Sequence, residues 1–399
     1  MKTIFIASHS MEIGGAERSL LGLLSAINYS ECKVDLFLYR HTGEFMDLIP
    51  EQVNLLPQDD KYACLAVPMV HALKKKQYAM VAGRLFGKIM AYFYDNRQKA
   101  KESVVGIEYS HKYTKRFLPL INPDKNYDLG ISFLRPHYIV AEKVKAKRKA
   151  AWVHTDYSEM AIDIKAERKI WNKYDYIVSV SEKNTESFCF IFRELKPKIL
   201  QIENILSPHF VRKQADLFKV NQEMGAAKNV YKLLSIGRFC YSKNFDNIPA
   251  ICEKIIDSGY DVKWYIIGYG GGESLIKAKI EEYGMREKVK ILGKKTNPYP
   301  YIKACDIYVQ PSRYEGKAVT VREAQMLYKP VIITNFPTAE SQLSNGVDGI
   351  IVPMDNKGCA EEIIKLINDK NLQNRLVENC KKADYGNEAE VEKIYQLMD

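Results

Sequence analysis

Two hydrophobic spacings alternate along the chain, one typical of buried strands and the other of amphipathic helices. Short apolar runs rich in valine, isoleucine and aromatic residues are followed by polar turns. Segments in which apolar residues recur every three or four positions come next. This alternation predicts α/β layers with parallel sheets. The predicted strands are KTIFIAS, CKVDLFLY, YDLGISFL, RKAAWVH and YDYIVSVS in the first half, and YKLLSIG, VKWYIIG, KVKILG, DIYVQPS and PVIITN in the second.

The two halves are separated by a polar stretch without a strand pattern, which we place within residues 205–229 as a linker. A chain of 399 residues suits two domains. We predict one Rossmann-like lobe at 1–207, a second at 208–385, and a C-terminal helix at 386–399 that packs back on the first lobe. Ligands of open α/β sheets bind beyond the carboxyl ends of the strands, so the two lobes should face each other across a cleft.

The cysteine content and the lengths of the apolar runs indicate where the protein is located and whether it holds a structural metal. The eight cysteines are scattered without a Cys-x-x-Cys pair, which predicts reduced thiols, a cytoplasmic location and no structural metal site. No apolar run reaches the ~18 residues of a membrane span. The apolar run before His9 is too short for the core of a signal peptide.

Positive charge is concentrated in one part of the chain. The net charge is +10, and residues 61–150 alone hold 19 Lys and Arg against 6 Asp and Glu. The region is either a solvated basic face or a surface attracted to an anionic partner, for which a membrane leaflet fits better than nucleic acid. Within it, residues 67–93 place apolar side chains at helical spacing among lysines. Such a helix could lie on a membrane interface or on the protein's own core.

In the first half, two features follow predicted strands. Gly14 and Gly15 open a helix after the first strand, where glycine permits a close approach of backbone amides to an anion. Many α/β proteins turn in the same way without binding anything. His154 follows the apolar sequence AAWV and is either structural or part of a polar binding surface. No Ser-His-Asp or metal-ligand spacing surrounds it.

In the second half, Arg238 and Lys243 stand just after a strand, where two cations could clamp a diphosphate or simply lie on the surface. The sequence YIIGYGGGESL is not a dinucleotide fingerprint, because the third glycine position is occupied by Glu273. Glu315 lies in a loop, and Glu323 lies in a helix starting near Ala318. Their spacing of eight residues corresponds to at most ~12 Å of helix, enough to hold both ends of an extended ligand such as a nucleotide sugar.

Taken in order, these segments resemble a known family. GGAERSL, SIGR with Lys-Asn five residues on, IIGYG, LGKK, PSRYEG followed by REA, KPVIITN and NGVDGIIVP are together similar to the retaining glycosyltransferases of family 4, which have the GT-B fold. The resemblance covers essentially the whole chain, and the two glutamates are its most specific part. Metal independence is a general property of that family, so no metal or other cofactor is expected besides the nucleotide-sugar co-substrate.

The resemblance also implies residue roles. Arg238 and Lys243 would bind the diphosphate of the donor, Glu315 the transferred sugar and Glu323 the ribose. The implied catalytic set is Arg238, Lys243, Glu315 and His154, the histidine lying near the transferred sugar. The implied substrate-binding set is Gly14, Gly15, Gly237, Gly268, Lys294, Gly316, Lys317, Ala318 and Glu323, with Lys294 beside the base. The Lys317-Ala318 pair departs from the usual small or aromatic residues and hints at an anionic group on donor or acceptor.

The sequence therefore predicts a retaining glycosyltransferase that uses a nucleotide-diphosphate sugar with UDP as its nucleotide. The acceptor would be a glycan, carried on a lipid, in the synthesis of a surface polysaccharide. The expected location is the cytoplasm, at the inner face of the membrane, without nucleic-acid partners. Two alternatives remain open at this point: a catalytically silent subunit that binds nucleotide sugars, and a nucleotide-sugar epimerase of related fold.

Overall fold

The computed structural model describes residues 1–12, 14–98, 103–155, 157, 161–225, 230–315 and 318–399. The chain divides into two compact units, one formed by Met1–Leu206 with Asn387–Asp399 and the other by Ser207–Gly386. Each unit contains its own parallel sheet with helices. The predicted α/β class with two Rossmann-like sheets is therefore confirmed.

The sheet of the first unit has, within the described residues, seven parallel strands in the order β3-β2-β1-β4-β5-β6-β7. Successive strands run outward from β1 on one side and from β4 on the other, so β1 and β4 flank the switch point of the sheet. The strands are β1 (Lys2–Ser8), β2 (Cys32–Leu38), β3 (Asn54–Leu55), β4 (Tyr127–Ser132), β5 (Ala146–Val153), β6 (Tyr176–Ser179) and β7 (Ile199–Gln201). The helices are α1 (Gly15–Ala26), α2 (Asp60–Ala63), α3 (Met69–Lys74), α4 (Tyr78–Gln98), α5 (Val105–Thr114), α6 (Tyr138–Lys143), α7 (Ile164–Trp171) and α8 (Glu182–Ile191).

The second unit repeats this plan with six described parallel strands in the order β10-β9-β8-β11-β12-β13, and its switch point lies between β8 and β11. The strands are β8 (Tyr231–Ile236), β9 (Val262–Ile267), β10 (Val289–Gly293), β11 (Ile307–Gln310), β12 (Val331–Thr334) and β13 (Ile350–Val352). The helices are α9 (Pro208–Ala215), α10 (Asn221–Met224), α11 (Ile248–Asp257), α12 (Glu273–Glu282), α13 (Tyr299–Ala304), α14 (Val319–Met326), α15 (Asn356–Asn368) and α16 (Lys370–Lys382).

Each sheet is covered by an apolar core of its own. In the first unit the core is strongly aromatic and includes Trp171 and Phe5, neither of which is exposed to solvent. In the second unit it is mainly aliphatic around Trp264. The inward faces of the strands and helices supply these side chains, as the apolar runs of the sequence require.

The final helix, α17 (Glu390–Gln396), packs on the first unit. The Tyr395 hydroxyl oxygen accepts a hydrogen bond from the backbone amide of Asn28 at 2.8 Å, and a carboxylate oxygen of Glu390 accepts one from the amide of Glu203 at 2.9 Å. The end of the chain is thereby tied to the unit in which the chain begins.

The boundary between the two units, at Leu206–Ser207, lies within the stretch 205–229 in which the linker was placed, and most of the rest of that stretch forms α9 and α10 of the second unit. Ser207 caps α9, and the Arg212 side chain donates to the backbone oxygen of Met326 at 3.2 Å. Residues 67–93 form two helices rather than one, because Lys76 takes a left-handed φ of 57° between α3 and α4. Within the described ranges, no helix has both the length and the apolar character of a membrane span.

Candidate active site

The switch point of the second sheet brings two loops together, one after β8 and the other after β11. Lys243 in the first loop forms an ion pair with Glu315 in the second, with 2.6 Å between Nζ and Oε1. Beside it, the Arg313 guanidinium binds both carboxylate oxygens of Asp246 at 3.0 and 2.7 Å. The two loops are therefore joined by two ion pairs across residues about seventy positions apart in sequence.

The backbone of the first loop explains how Lys243 reaches its partner. Residues Tyr241–Lys243 form a tight 3-10 turn, and Asn244 follows in the left-handed conformation with φ 60°. The Asn244 amide group donates to the backbone oxygen of Pro311 at 2.8 Å. Gly237 leaves room for the lysine stem, since a Cβ there would lie 3.1 Å from Lys243 Cε. Asparagine and glycine are the residues best suited to these positions.

Three donors converge on one carboxylate oxygen of Glu315. Besides Lys243 Nζ, the Ser312 hydroxyl donates to Oε1 at 2.6 Å and Gln310 Nε2 donates at 3.1 Å. Gln310 is itself held by the Tyr308 hydroxyl at 2.7 Å. Among the described residues no donor reaches Oε2, so the second oxygen of this oriented carboxylate is available to a ligand.

Burial makes this network strong. Tyr308, Gln310 and Ser312 are fully buried, and the side chains of Glu315 and Lys243 are 9% and 19% exposed. In such a low-dielectric setting a polar network whose hydrogen bonds are all made is rigid. A polar group left without a partner there would destabilise the folded protein. The sequence analysis did not find Tyr308, Gln310 or Ser312. Their signal was a polar glutamine ending the otherwise apolar strand IYVQ.

Arg238 differs from Lys243 in its surroundings. Arg238 is exposed, and within the described residues its guanidinium has no side-chain partner. The predicted pair of cations thus comprises one lysine held by a carboxylate and one arginine free to move toward a ligand on the same loop. Gly316 and Lys317, two predicted substrate-binding residues, lie outside the described residues.

The second predicted glutamate, Glu323, lies in α14 and is completely buried. Its Oε1 accepts a hydrogen bond from the Tyr299 hydroxyl at 2.9 Å. The helix begins after Ala318, whose backbone amide donates to Gln342 Oε1 at 2.8 Å. The Ala318 amide is therefore already engaged by a side chain of the same unit.

The ends of β9 and β10 add two further predicted residues. Gly268 has φ 154°, and a Cβ there would lie 1.9 Å from the backbone oxygen of Gly237, so no larger residue fits without a shift. The exposed Lys294 places its ammonium group 5.4 Å from the ring centroid of Tyr269. Tyr269 is 49% exposed, which makes the pair accessible to an aromatic ligand.

In the first unit, Gly14 caps α1 and Gly15 is its first residue. A Cβ on Gly15 would meet nothing within 4 Å, whereas one on Gly14 would meet only the end of the flexible Glu17 side chain. Neither glycine has a positive φ. The backbone conformation therefore does not require glycine at either position.

His154 directly follows β5, and its ring packs 4.7 Å from that of Phe133. Burial lowers the pKa of His154 to about 4, so the imidazole is neutral near pH 7. Its Nε2 is buried without a hydrogen-bond partner among the described residues, and the same is true of His9 Nε2 and Ser8 Oγ at the end of β1. The sequence analysis missed His9 and Ser8 as candidates. Unpartnered buried polar atoms are uncommon and could bind ligand hydroxyl groups.

The structure thus groups the predicted residues by unit. Lys243 and Glu315 are in contact, with Arg238 on the same loop. In the first unit, Gly14 and Gly15 lie at the start of α1, and His154 directly follows β5. No group of histidine, cysteine and carboxylate side chains within the described residues has the arrangement of a metal site.

Comparison with known proteins relates most of the second unit to a family. Residues 218–383 match the family described as glycosyl transferases group 1. The capsular polysaccharide biosynthesis glycosyltransferase CapM of Staphylococcus aureus is 31% identical over 149 residues, which are 37% of this chain and 39% of CapM. A second relative is the UDP-Gal:alpha-D-GlcNAc-diphosphoundecaprenol alpha-1,3-galactosyltransferase of Escherichia coli. It is 22% identical over 161 residues, or 40% of this chain and 42% of the relative.

Among solved structures, TarM of S. aureus in complex with UDP is similar over the full length of both chains, with a TM-score of 0.63 and 14% identity. That identity supports a shared fold only. The alignments with the first curated relatives cover 55%, 39% and 49% of their lengths, so the chain spans about half of each or less. Residues 218–383 of this chain are thus similar to the glycosyl transferases group 1 family, and the chain as a whole has the GT-B fold.

Proposed function

We propose that this protein is a retaining glycosyltransferase of the family 4 type, which transfers a hexosyl group from a UDP-sugar to a lipid-linked glycan in surface polysaccharide synthesis. The observation that carries the proposal is the Lys243–Glu315 pair at the β8–β11 switch point, with Arg238 exposed on the same loop. This site offers two cations and an oriented carboxylate within two adjoining loops.

The two cations fit the chemistry of the leaving group. In the reaction the bond between the anomeric carbon and the β-phosphate oxygen breaks, and a bond from the anomeric carbon to the acceptor oxygen forms on the same face. The acceptor proton passes to the departing phosphate oxygen. Arg238 and Lys243 would stabilise the negative charge that develops on the diphosphate. Since these side chains supply that charge, we propose that transfer does not depend on a divalent cation.

The two glutamates would bind different parts of the donor. Glu315 would accept a hydrogen bond from a hydroxyl of the transferred sugar through Oε2, while Oε1 stays fixed by its three donors. Glu323 would hold the ribose hydroxyls, with Tyr299 orienting its carboxylate. Tyr269 and Lys294 would flank the base. In the first unit, the neutral His154 would bind a sugar hydroxyl through its unpartnered Nε2.

The comparisons support the choice of donor and acceptor. The E. coli relative is named for UDP-galactose and a diphosphoundecaprenol-linked acceptor, CapM for capsular polysaccharide, and the TarM structure contains UDP. We extend these partners to this chain by similarity.

The proposal is tested by incubating the protein with a panel of nucleotide sugars, with and without a bacterial lipid extract, and measuring the released nucleotide. We expect release of UDP that requires lipid extract and persists in the presence of a chelator. Binding of donors without turnover would instead identify a silent binding subunit. Conversion of the donor without any acceptor would identify an epimerase.

A pair of variants tests the division of roles. Glu323→Gln should weaken binding of free UDP by about tenfold or more, the equivalent of a hydrogen bond to a charged group. Glu315→Gln should leave the affinity for free UDP nearly unchanged and reduce transfer. Glu287→Ala, at a largely exposed glutamate of the same unit, is the control. Equal loss of UDP affinity in both active-site variants would refute the assignment.

A further inference from the structure

Helix α4 carries its large apolar side chains on the outside. Leu85 and Phe86 are each 50% exposed, and Tyr92 and Phe93 are 63% and 64% exposed. A surface helix ordinarily turns such residues toward the core. At about 100° per residue, six exposed apolar positions fall within an arc of about 120° on one side of the helix, and Met90, 36% exposed, lies about 40° beyond it. The six residues within the arc, here named the α4 face, are Tyr78, Leu85, Phe86, Ile89, Tyr92 and Phe93.

The opposite side of α4 is fixed against α5 by two glycines. A Cβ on Gly87 would lie 2.8 Å from the backbone oxygen of Tyr109, and one on Gly83 would lie 2.9 Å from a methyl group of α5. Between them, the buried Arg84 donates to the backbone oxygen of Val67 at 2.6 Å. Small residues and a hydrogen-bonded arginine thus occupy the inner side, so the helix cannot rotate its large side chains inward.

The charges around the α4 face are almost all basic. Residues 69–97 contain five exposed basic side chains and one acidic side chain, Asp95, while the sixth basic side chain, Arg84, is buried on the inner side. Two copies meeting through this surface would bring like charges together, whereas an anionic surface would be attracted. Tyrosine is also enriched where membranes meet water. The five exposed basic residues are Lys74, Lys75, Lys76, Lys88 and Arg97.

A basic cavity of about 320 Å³ lies in the same unit. Two of its lysines, Lys115 and Lys173, both bind Glu142 Oε1 at 2.6 Å. Its other carboxylate, Asp163, accepts hydrogen bonds from the Tyr109 hydroxyl and from the first turn of α7. Within the described residues, the other three lysines form no ion pair. The five lysines, here named the lysine pocket, are Lys112, Lys115, Lys165, Lys169 and Lys173.

The α4 face and the lysine pocket share a border. The rings of Phe86 and Tyr113 meet edge to face with their centroids 4.8 Å apart. Lys112 Nζ lies 5.5 Å from the centroid of the same Tyr113 ring and lines the cavity. An apolar helix face therefore leads directly to a group of cations that could receive a phosphate.

We propose that this surface docks the protein on an anionic lipid bilayer. The α4 face would enter the boundary between headgroups and acyl chains, as interfacial helices do, and the lysine pocket would receive a lipid phosphate. The inference rests on the proposed function only in linking this surface to a lipid-borne acceptor. Docking itself requires no transfer chemistry.

The experiment measures cosedimentation with vesicles of phosphatidylcholine alone and of phosphatidylcholine mixed with phosphatidylglycerol. The wild-type chain should bind the anionic vesicles more tightly, and added salt should weaken this binding. The double variant Phe86→Ser and Ile89→Ser should reduce affinity by about tenfold or more, from the loss of two apolar side chains. Lys169→Ala should reduce it about fivefold. Leu275→Ser, at a 52% exposed leucine of α12, is the matched control and should have no effect.

Equal binding to both kinds of vesicle, or unchanged binding by the double variant, would overturn the proposal. So would a dimer of the wild-type chain that the double variant abolishes in sedimentation equilibrium, because the α4 face would then bind a second copy. UDP affinity is measured in parallel. Failure of the wild type to bind UDP would contradict the proposed function and leave the vesicle result to decide the docking surface.

Discussion

Lys243 and Glu315 should be energetically coupled, and Lys243 should also contribute to the binding of the donor diphosphate. The Glu315 side chain is 9% exposed, and its Oε1 receives one charged donor and two neutral ones. Lys243→Met removes the charged donor and leaves a buried carboxylate with neutral partners. We expect the free energy of unfolding to fall by about 2 kcal/mol, within the range for a hydrogen bond to a charged group.

A double-mutant cycle with Glu315→Gln isolates the pair. Urea unfolding of the four proteins should give a coupling energy of about 1 kcal/mol or more, because the glutamine no longer requires a cation. Lys279→Met, at a surface pair with Glu282, is the control and should leave the free energy of unfolding nearly unchanged, because water screens an exposed ion pair. A coupling energy near zero would refute the structural reasoning about burial.

The stabilisation of the same proteins by UDP provides a second measurement. If Lys243 also binds the diphosphate, UDP should stabilise the wild type against unfolding more than it stabilises Lys243→Met at the same concentration, because stabilisation follows affinity. The expected difference is about 1.4 kcal/mol for each tenfold loss of affinity. Equal stabilisation of both proteins by UDP would show that Lys243 serves Glu315 alone.

Two further predictions concern stability. Burial lowers the pKa of His9 and His154 to about 4, so the unfolded chain binds more protons than the folded one between pH 6.5 and about 4. The free energy of unfolding should therefore fall as the pH is lowered through this window. In the His154→Gln variant this fall should be smaller by up to about 3 kcal/mol, measured by urea unfolding at a series of pH values. The same pH dependence in the variant and the wild type would contradict the conclusion that His154 is buried in its neutral form. Gly268→Ala should destabilise the protein by about 3 kcal/mol or more in the same assay, because its Cβ would overlap the backbone oxygen of Gly237. Gly271→Ala, where a Cβ would meet nothing within 4 Å, should not, and equal effects of the two changes would refute the steric explanation.

The hydrophobic pattern of the sequence was sufficient to locate the central strands of both sheets. Strands such as β1, β8 and β11 combine a buried apolar run with a polar turn at the carboxyl end, so their ends and the loops behind them could be placed from sequence. The strands that the pattern missed, β3, β7 and β13, are two or three residues long and lie at sheet edges. So short a segment contains only one two-residue period of a strand, too little to reveal an alternation, and its pairing depends on the neighbouring strand.

The same limit applies within the candidate site. Arg238, Lys243 and Glu315 could be named from sequence because they follow predicted strands, and Glu323 because of its spacing from Glu315 and the resemblance to the family. The donors that orient Glu315 could not. Gln310 and Ser312 are ordinary polar residues whose contribution exists only because their side chains are buried beside the carboxylate.

The sequence by itself determined the α/β class, the two-lobe plan and the placement of the charged residues at strand ends, because all of these follow from local periodicity. Tertiary structure alone decided that β8 lies beside β11, which brings Lys243 to Glu315 across 72 positions of the chain. It also decided that α4 packs on α5 through Gly83 and Gly87 and leaves its apolar face outside. The order of strands and the choice of helix face depend on packing between distant segments, which no local pattern records.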